Sequence, residues 1–140
     1  MSRVGFCGLL LVGLLLAGCG GSSGPGAIEQ EAQTVRSWVA TARLAGESWQ
    51  RGAVPTTYAR QTIATARQEL RQSSRQLERM SATGADEQRR AELVQELSGL
   101  DGTLDALAAA IGDADRDAGG RQLARLAEAE AAIAALAPPR

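Results

Sequence analysis

Apolar residues in this chain recur at alternating spacings of four and three, and the clearest series runs without interruption through the third quarter of the sequence. Its members are Leu93, Leu97, Leu100, Leu104, Leu107 and Ile111. Because an α-helix completes one turn about every 3.6 residues, this spacing places all six side chains on one stripe. A strand would alternate at every second residue, and we find no such pattern in the sequence. The series predicts an amphipathic helix whose stripe packs against other helices.

Three other segments show the same spacing and are predicted to be helices. The first covers residues 27–47 or 27–50, and Gly52 with Pro55 breaks it. The predicted core positions are Ile28, Ala32, Val35, Trp38, Val39, Ala42 and Ala45 in the first helix, Ile63, Ala66, Leu70, Ser73, Leu77 and Met80 in the second, and Leu126, Ala129, Ile133 and Leu136 in the fourth.

The remaining helix ends are indicated by turn and cap residues. The second helix is predicted to begin near Pro55 and to end before Gly84, and Asp86 suits the start of the third. A loop is expected over residues 112–120, followed by a fourth helix over residues 121–137.

The predicted fold is all-α, a small antiparallel bundle of three to four amphipathic helices within residues 27–140. The first helix could join the bundle or dock loosely on a three-helix core, and the sequence leaves both open. Val, Ile and Leu make up about 16 per cent of the residues after Cys19, a low share for a folded domain. We therefore expect a thin core of marginal stability, which self-association could stabilise.

The start of the chain has a different amino-acid composition. One charged side chain, Arg3, precedes an apolar stretch over residues 9–16, far shorter than the roughly 20 residues of a membrane-spanning helix. The stretch ends in Leu16-Ala17-Gly18-Cys19. This segment resembles the signal peptide of the bacterial lipoprotein family, whose lipobox combines a leucine, two small residues and an obligatory cysteine.

The resemblance implies that a lipoprotein signal peptidase cleaves between Gly18 and Cys19 and that Cys19 carries two or three acyl chains, enough for a stable anchor. An ordinary secretory signal with a disulfide-bonded cysteine is the alternative. In that alternative Cys19 would have no partner cysteine, because Cys7 lies in the segment that would be removed. Family members in enteric-type bacteria usually carry Asp after the cysteine when they stay in the inner membrane. Gly20 therefore favours the outer membrane, facing the periplasm, over the inner membrane or the cell surface.

The predicted organisation has three parts: a signal peptide at residues 1–18, a lipidated cysteine with a Gly/Ser tether at residues 19–26, and the bundle at residues 27–140. The tether carries no apolar side chain that could pack. Fully extended, it could span about 25 Å.

Five arginines lie off the apolar stripe of the second helix. They are Arg60, Arg67, Arg71, Arg75 and Arg79. They could form a patch for anions such as lipid headgroups or cell-wall carboxylates. The third helix is acidic, however, so pairing between the two neighbouring helices explains the same residues, and we favour it. A slightly acidic chain with few aromatics argues against nucleic acid as a partner.

Asp113, Asp115 and Asp117 are spaced like the first carboxylates of a calcium-binding EF-hand loop. Ala118 stands where that loop requires glycine, and Ala124 stands where it requires glutamate. A turn between helices, with Asp115 or Asp117 as the N-cap, explains these residues better. We expect no metal site here.

Trp38, Trp49 and Tyr58 fall around the first break between helices, with Trp49 in the fraying end of the first helix. They could cap the end of the bundle or form an exposed surface that binds a partner. Capping is the usual role of aromatic residues in a helical protein, and we favour it.

The residue types that the chain lacks exclude several classes of enzyme. It has no His, Lys or Asn, and the cysteine after the predicted cleavage site is assigned to lipid. Zinc sites built on His, Ser-His-Asp triads, Schiff-base lysines and Walker-type phosphate loops are therefore excluded. We expect no enzymatic activity and no cofactor.

The predicted function is that of a lipid-anchored envelope lipoprotein whose bundle binds a protein or an envelope component. One alternative is a structural lipoprotein that self-associates through its leucine stripes. A weaker alternative is a module that binds calcium or a small ligand.

Overall fold

A computed structural model describes residues 26–137. Within that range the chain forms four helices and no strand: α1 (Ala27–Gln50), α2 (Thr56–Arg79), α3 (Ala85–Gly112) and α4 (Arg116–Leu136). The predicted all-α fold is confirmed. The signal peptide, the cleavage site between Gly18 and Cys19, and the tether before Gly26 lie outside the described residues. None of the helices in the described range is long and apolar enough to cross a membrane.

Each helix packs against the next one in the chain, and α4 packs back against α1. The contact between α1 and α3 runs across the diagonal of the bundle. The connections at residues 51–55, 80–84 and 113–115 are short, so neighbouring helices are antiparallel. The architecture is an up-down-up-down four-helix bundle, and α1 is a full member of it.

The predicted stripes form the core. All six members of the α3 series are at most 5% exposed. The α1 and α2 positions are buried as predicted, except that Trp38 and Met80 are half-buried, and in α4 Ala129 and Leu136 are half-buried. The core also contains four residues that the spacing did not select, namely Trp49, Ala59, Leu123 and Ala137. The core combines leucine and isoleucine with alanine, whose small side chain lets helices approach closely.

The prediction for the start of α4 was wrong. The helix begins at Arg116 rather than near residue 121, so the loop covers residues 113–115 rather than 112–120. The carboxylate of Asp115 accepts a hydrogen bond from the backbone N–H of Ala118 at 2.8 Å, which makes it the N-cap of the helix. The helix therefore starts directly after this cap, and the two glycines that suggested a loop are helical.

Candidate functional site

Two arginines of α2 and two aspartates of α3 form a cluster on the outside of the bundle. We call Arg67, Arg71, Asp101 and Asp105 the Arg–Asp cluster. Arg67 donates two hydrogen bonds to the Asp101 carboxylate at 2.7 and 3.0 Å, and Arg71 donates two to the same carboxylate at 2.8 and 3.0 Å. Arg67 also donates to Asp105. Each guanidinium thus contacts Asp101 in the paired geometry that gives the strongest charge-assisted hydrogen bonds.

These hydrogen bonds shift the ionisation of the groups that make them. Hydrogen bonds from Arg67, and then from Arg71, hold the pKa of Asp101 well below its ordinary value of 3.8. The hydrogen bond to Asp101 raises the pKa of Arg67 above its ordinary value. The cluster is therefore fully charged at neutral pH, and its two arginines are already neutralised by α3.

The other three arginines predicted for the patch are Arg60, Arg75 and Arg79. All three are exposed, and none makes an ion pair with another described residue. Arg75 borders a shallow groove of about 410 Å³ between α2 and α3, in which Ala64 and Ala108 leave space. The pairing interpretation is confirmed for the two arginines of the Arg–Asp cluster, whereas these three arginines have no acidic partner in the described part.

Trp49 closes the end of the bundle at which α1 meets α2. Its side chain is buried, and α1 continues past it rather than fraying. The indole Nε1 donates to Thr56 Oγ1 at 3.2 Å, and the Arg116 guanidinium lies 5.4 Å from the ring centroid. Gly119 faces the ring so closely that a Cβ there would lie 3.1 Å from Cζ3. We call Trp49, Thr56, Arg116 and Gly119 the Trp49 cap.

A reciprocal pair of hydrogen bonds joins α1 to α4 beside the Trp49 cap. Gln50 Nε2 donates to the Arg116 carbonyl at 2.7 Å, and Arg116 Nη1 donates to the Gln50 carbonyl. That carbonyl belongs to the last turn of α1, where helical hydrogen bonds run out. Farther along this interface, Arg43 donates to Glu130 of α4 at 2.8 Å and to Glu47 of its own helix at 2.7 Å.

The sequence did not reveal these contacts between α1 and α4. The spacing of apolar residues selects a buried stripe, but it does not say which polar side chains meet across an interface. The one available signal was Gly119 beside Gly120, which we interpreted as a loop. The structure shows instead that Gly119 provides room for an aromatic ring.

The predicted aromatic cluster is only partly correct. Capping of the bundle end is confirmed for Trp49. Trp38 is half-buried about three helical turns away, and Tyr58 is 57% exposed on the first turns of α2. The three aromatic side chains therefore have three different environments.

The three aspartates that resemble the start of an EF-hand lie at the turn between α3 and α4. Asp113 follows the last residue of α3, Asp115 is the N-cap of α4, and Asp117 lies in the first turn of α4. Within residues 26–137, no group of three or more Cys, Asp or Glu side chains is arranged to hold a metal ion. Acidic side chains at this position interact favourably with the N-terminal end of the helix dipole.

Comparison of the chain with protein-family models, with curated proteins and with solved structures gives no match. Functional proposals for this chain therefore rest on its own residues and on the geometry of the bundle.

Proposed function

We propose that the chain is a lipid-anchored lipoprotein of the bacterial envelope and that its bundle is an interaction module for a protein or another envelope component. The motif Leu16-Ala17-Gly18-Cys19 supports the anchor, with Cys19 as the acylated residue and the outer membrane, facing the periplasm, as the site. The tether supports an arrangement in which a folded domain moves independently of its anchor.

The burial of the leucine stripes favours an interaction module over a structural protein that self-associates through those stripes. All six members of the α3 series lie inside one chain, so they are not available to a second copy. Self-association through the leucine stripes would require the bundle to open. What the bundle offers to other molecules is its outer surface, which carries exposed arginine, aspartate and glutamate side chains.

The connectivity of the bundle orients it relative to the proposed anchor. The tether leads directly into α1, so the anchored end consists of the start of α1, the turn at residues 80–84 and the end of α4. The turns at residues 51–55 and 113–115 lie at the opposite end. Because α1 has 24 residues, that end is about 36 Å farther from the membrane if the bundle stands upright.

Substitution of Cys19 tests the anchor. In the full-length chain, Cys19→Ala should leave the precursor uncut or release the domain from washed membranes, and globomycin should block processing of the native chain. Cys7→Ala is the matched control and should be processed normally, because Cys7 lies within the leader. Normal processing and membrane retention of the Cys19→Ala variant would contradict the anchor.

Cross-linking in intact cells tests the interaction module. A tag placed after Arg140 allows the native chain to be purified with its covalently linked neighbours. We expect a second envelope protein or envelope component among them, lost in the Cys19→Ala variant because that variant is mislocalised. Recovery of nothing except copies of the chain itself would contradict this function.

A further inference from the structure

The groove between α2 and α3 combines a ligand-sized volume with a cationic lining. Its volume of about 410 Å³ lies within the range of small-molecule sites in proteins. The polar side chains that line it all come from α2, and small side chains of both helices leave the space between them. They are Arg67, Gln68, Arg71 and Arg75, with Ala64 and Ala108 as the small residues. None of the described residues that line this α2/α3 groove is acidic.

Neither carboxylate of the Arg–Asp cluster lines this groove. Asp101 lines a second, smaller groove of about 120 Å³, together with Arg67 and Arg71. Asp105 accepts its hydrogen bond from Arg67 and lines neither groove. An anion in the α2/α3 groove would therefore contact guanidinium groups without contacting a carboxylate.

Two of the arginines retain N–H groups that a ligand could use. The side chain of Arg75 is exposed and makes neither a hydrogen bond nor an ion pair with another described residue. Arg71 donates to Asp101 from Nε and Nη2, and its Nη1 makes no hydrogen bond to another described residue. Because a guanidinium carries five N–H groups in a planar fork, these two side chains can donate several hydrogen bonds to one anion. The amide of Gln68 adds a further donor to the lining.

The spacing of these two arginines places like charges next to each other. Arg71 and Arg75 are four residues apart, so they are neighbours on successive turns of α2 and repel each other. Asp101 compensates the charge of Arg71. Glu78, which follows Arg75 by three residues, is exposed, makes no ion pair with it and does not line the groove. An anion bound between Arg71 and Arg75 would offset this repulsion.

We propose that the α2/α3 groove binds a phosphate monoester, with Arg71 and Arg75 contacting the phosphate and the methyl groups of Ala64 and Ala108 contacting the rest of the ligand. A phosphate monoester carries nearly two negative charges at neutral pH and three acceptor oxygens. A carboxylate carries one charge and two oxygens, which leaves more guanidinium N–H groups without an acceptor. Since a water molecule occupies about 30 Å³, the groove has room for a phosphate and for a small organic body attached to it.

This site rests on the proposed function in one respect, because it gives the chemical class of an envelope component that the bundle binds. A phosphate monoester at the membrane can belong to a lipid headgroup, such as that of phosphatidic acid, or to a soluble molecule. The contacts with Arg71 and Arg75 are the same in both cases. The groove itself does not depend on the anchor at Cys19.

Calorimetric titration of the full chain, reconstituted in phosphatidylcholine vesicles, tests the site. The probe is phenyl phosphate, a water-soluble monoester whose ring supplies a small apolar body. We expect saturable binding in the millimolar range, since the groove is shallow and open to solvent. Benzoate, which replaces the phosphate by a carboxylate, should bind about tenfold more weakly because it accepts fewer charge-assisted hydrogen bonds. Inorganic phosphate should also bind more weakly, because it does not cover the alanine methyl groups.

Two substitutions of equal charge separate a site from general attraction. Arg75→Gln should weaken the binding of phenyl phosphate about tenfold, because it removes a guanidinium that contacts the phosphate. Arg79→Gln is the matched control. Arg79 is exposed on the same helix and makes no ion pair with a described residue, but it does not line the groove. Its loss should change the binding by less than about twofold, since water and salt screen an exposed charge outside the site.

A third pair of variants tests the space between the helices. Ala64→Leu places a larger side chain in the groove and should weaken the binding of phenyl phosphate about tenfold, because it occupies the space of the ring. Ala106→Leu is the control, since Ala106 is exposed on α3 and does not line the groove. Circular dichroism of all purified variants checks that they retain the helical fold.

The composition of the vesicles separates the two sources of the ligand. If a lipid headgroup enters the groove, phosphatidic acid in the vesicles should compete with phenyl phosphate and weaken its apparent binding. Phosphatidylglycerol at the same surface charge is the control, because its phosphate is a diester. A weaker apparent binding with phosphatidic acid alone assigns the site to a lipid, and equal binding in both vesicles assigns it to a soluble monoester.

Three outcomes would overturn the proposal. No saturable binding of phenyl phosphate would show that the groove is not a site for phosphate monoesters. Benzoate that binds as tightly as phenyl phosphate would reject phosphate as the class of ligand. Equal losses in Arg75→Gln and Arg79→Gln would reject the groove as the site. Membrane fractionation of cells reports on the anchor separately, so a chain that stays in the membrane but does not bind phenyl phosphate leaves the proposed function standing.

Discussion

The Trp49 cap and the Arg–Asp cluster both join neighbouring helices, but the first does so by burying an aromatic ring and the second by partly exposed ion pairs. Trp49 is 4% exposed and closes against a glycine, whereas the Asp101 side chain is 36% exposed and the Arg71 side chain is 52% exposed. Removing a buried aromatic residue costs several kcal/mol, while an exposed ion pair contributes about 1 kcal/mol or less. The cap therefore stabilises the bundle, and the cluster mainly favours the pairing of α2 with α3.

The largest effect is expected from removing the indole. Trp49→Ala should lower the free energy of unfolding by about 3–5 kcal/mol, because the cavity cannot be filled by the neighbouring glycine. Urea unfolding of the full chain in mild detergent, followed by circular dichroism, measures the loss. Trp49→Phe is the control: it keeps an aromatic ring but loses the donor to Thr56, and should cost less. Equal losses in the two variants would mean that the hydrogen bond, not the ring, matters.

The next effect concerns the glycine beneath the ring. Gly119→Val should destabilise the fold by about 1–3 kcal/mol, because a Cβ already lies 3.1 Å from the Trp49 ring and a branched side chain must displace it. The matched variant is Gly102→Ala on α3. Nothing lies within 4 Å of its added Cβ, so it should stabilise the helix by up to about 1 kcal/mol. Thermal unfolding midpoints that shift in the same direction would contradict this assignment.

A smaller effect is expected in the Arg–Asp cluster. Asp101→Asn should cost about 1 kcal/mol at neutral pH, since the amide replaces a carboxylate that accepts from two arginines but is partly screened by water. Asp105→Asn should cost less, because Asp105 accepts one of these hydrogen bonds. The same unfolding measurement compares them. A larger loss in Asp105→Asn would reverse the order of importance within the cluster.

The pH dependence of stability follows from the lowered pKa of Asp101. Its hydrogen bonds from Arg67 and Arg71 exist in the folded chain, so the unfolded chain binds a proton more readily. The stability that the ionised carboxylate contributes is present above its ordinary pKa of 3.8 and is lost as the pH falls below it. Unfolding measured from neutral pH to about pH 2 should show a shallower acid decline in Asp101→Asn than in the native chain. Identical declines would exclude Asp101 as a contributor.

The smallest effect on folding is expected at Tyr58, which is exposed near the start of α2. Tyr58→Ser should change the free energy of unfolding by no more than about 0.5 kcal/mol, because its side chain is mostly exposed. Urea unfolding of the full chain in mild detergent measures the change. A large loss of stability would show that Tyr58 supports the fold instead.

Much of the fold could be predicted because helical periodicity is a local property of the chain. The spacing of Leu93 through Ile111 requires one buried stripe on one helix, and the structure places every member of that series in the core. The breaks near Pro55 and Gly84 were also correct. The start of α4 was missed because Gly119 and Gly120 favour a loop when considered alone. In the bundle Gly119 is helical, and its missing side chain leaves room for the Trp49 ring.

The sequence by itself determined the four amphipathic helices, their buried stripes and the motif at Cys19, which forms the basis of the proposed anchor. The tertiary structure decided which polar side chains meet. Arg67 and Arg75 both lie off the apolar stripe of α2, yet Arg67 is paired with Asp101 and Arg75 has no acidic partner within the described residues. Periodicity acts within a helix, whereas pairing and surface composition depend on which residues distant in sequence the fold brings into contact.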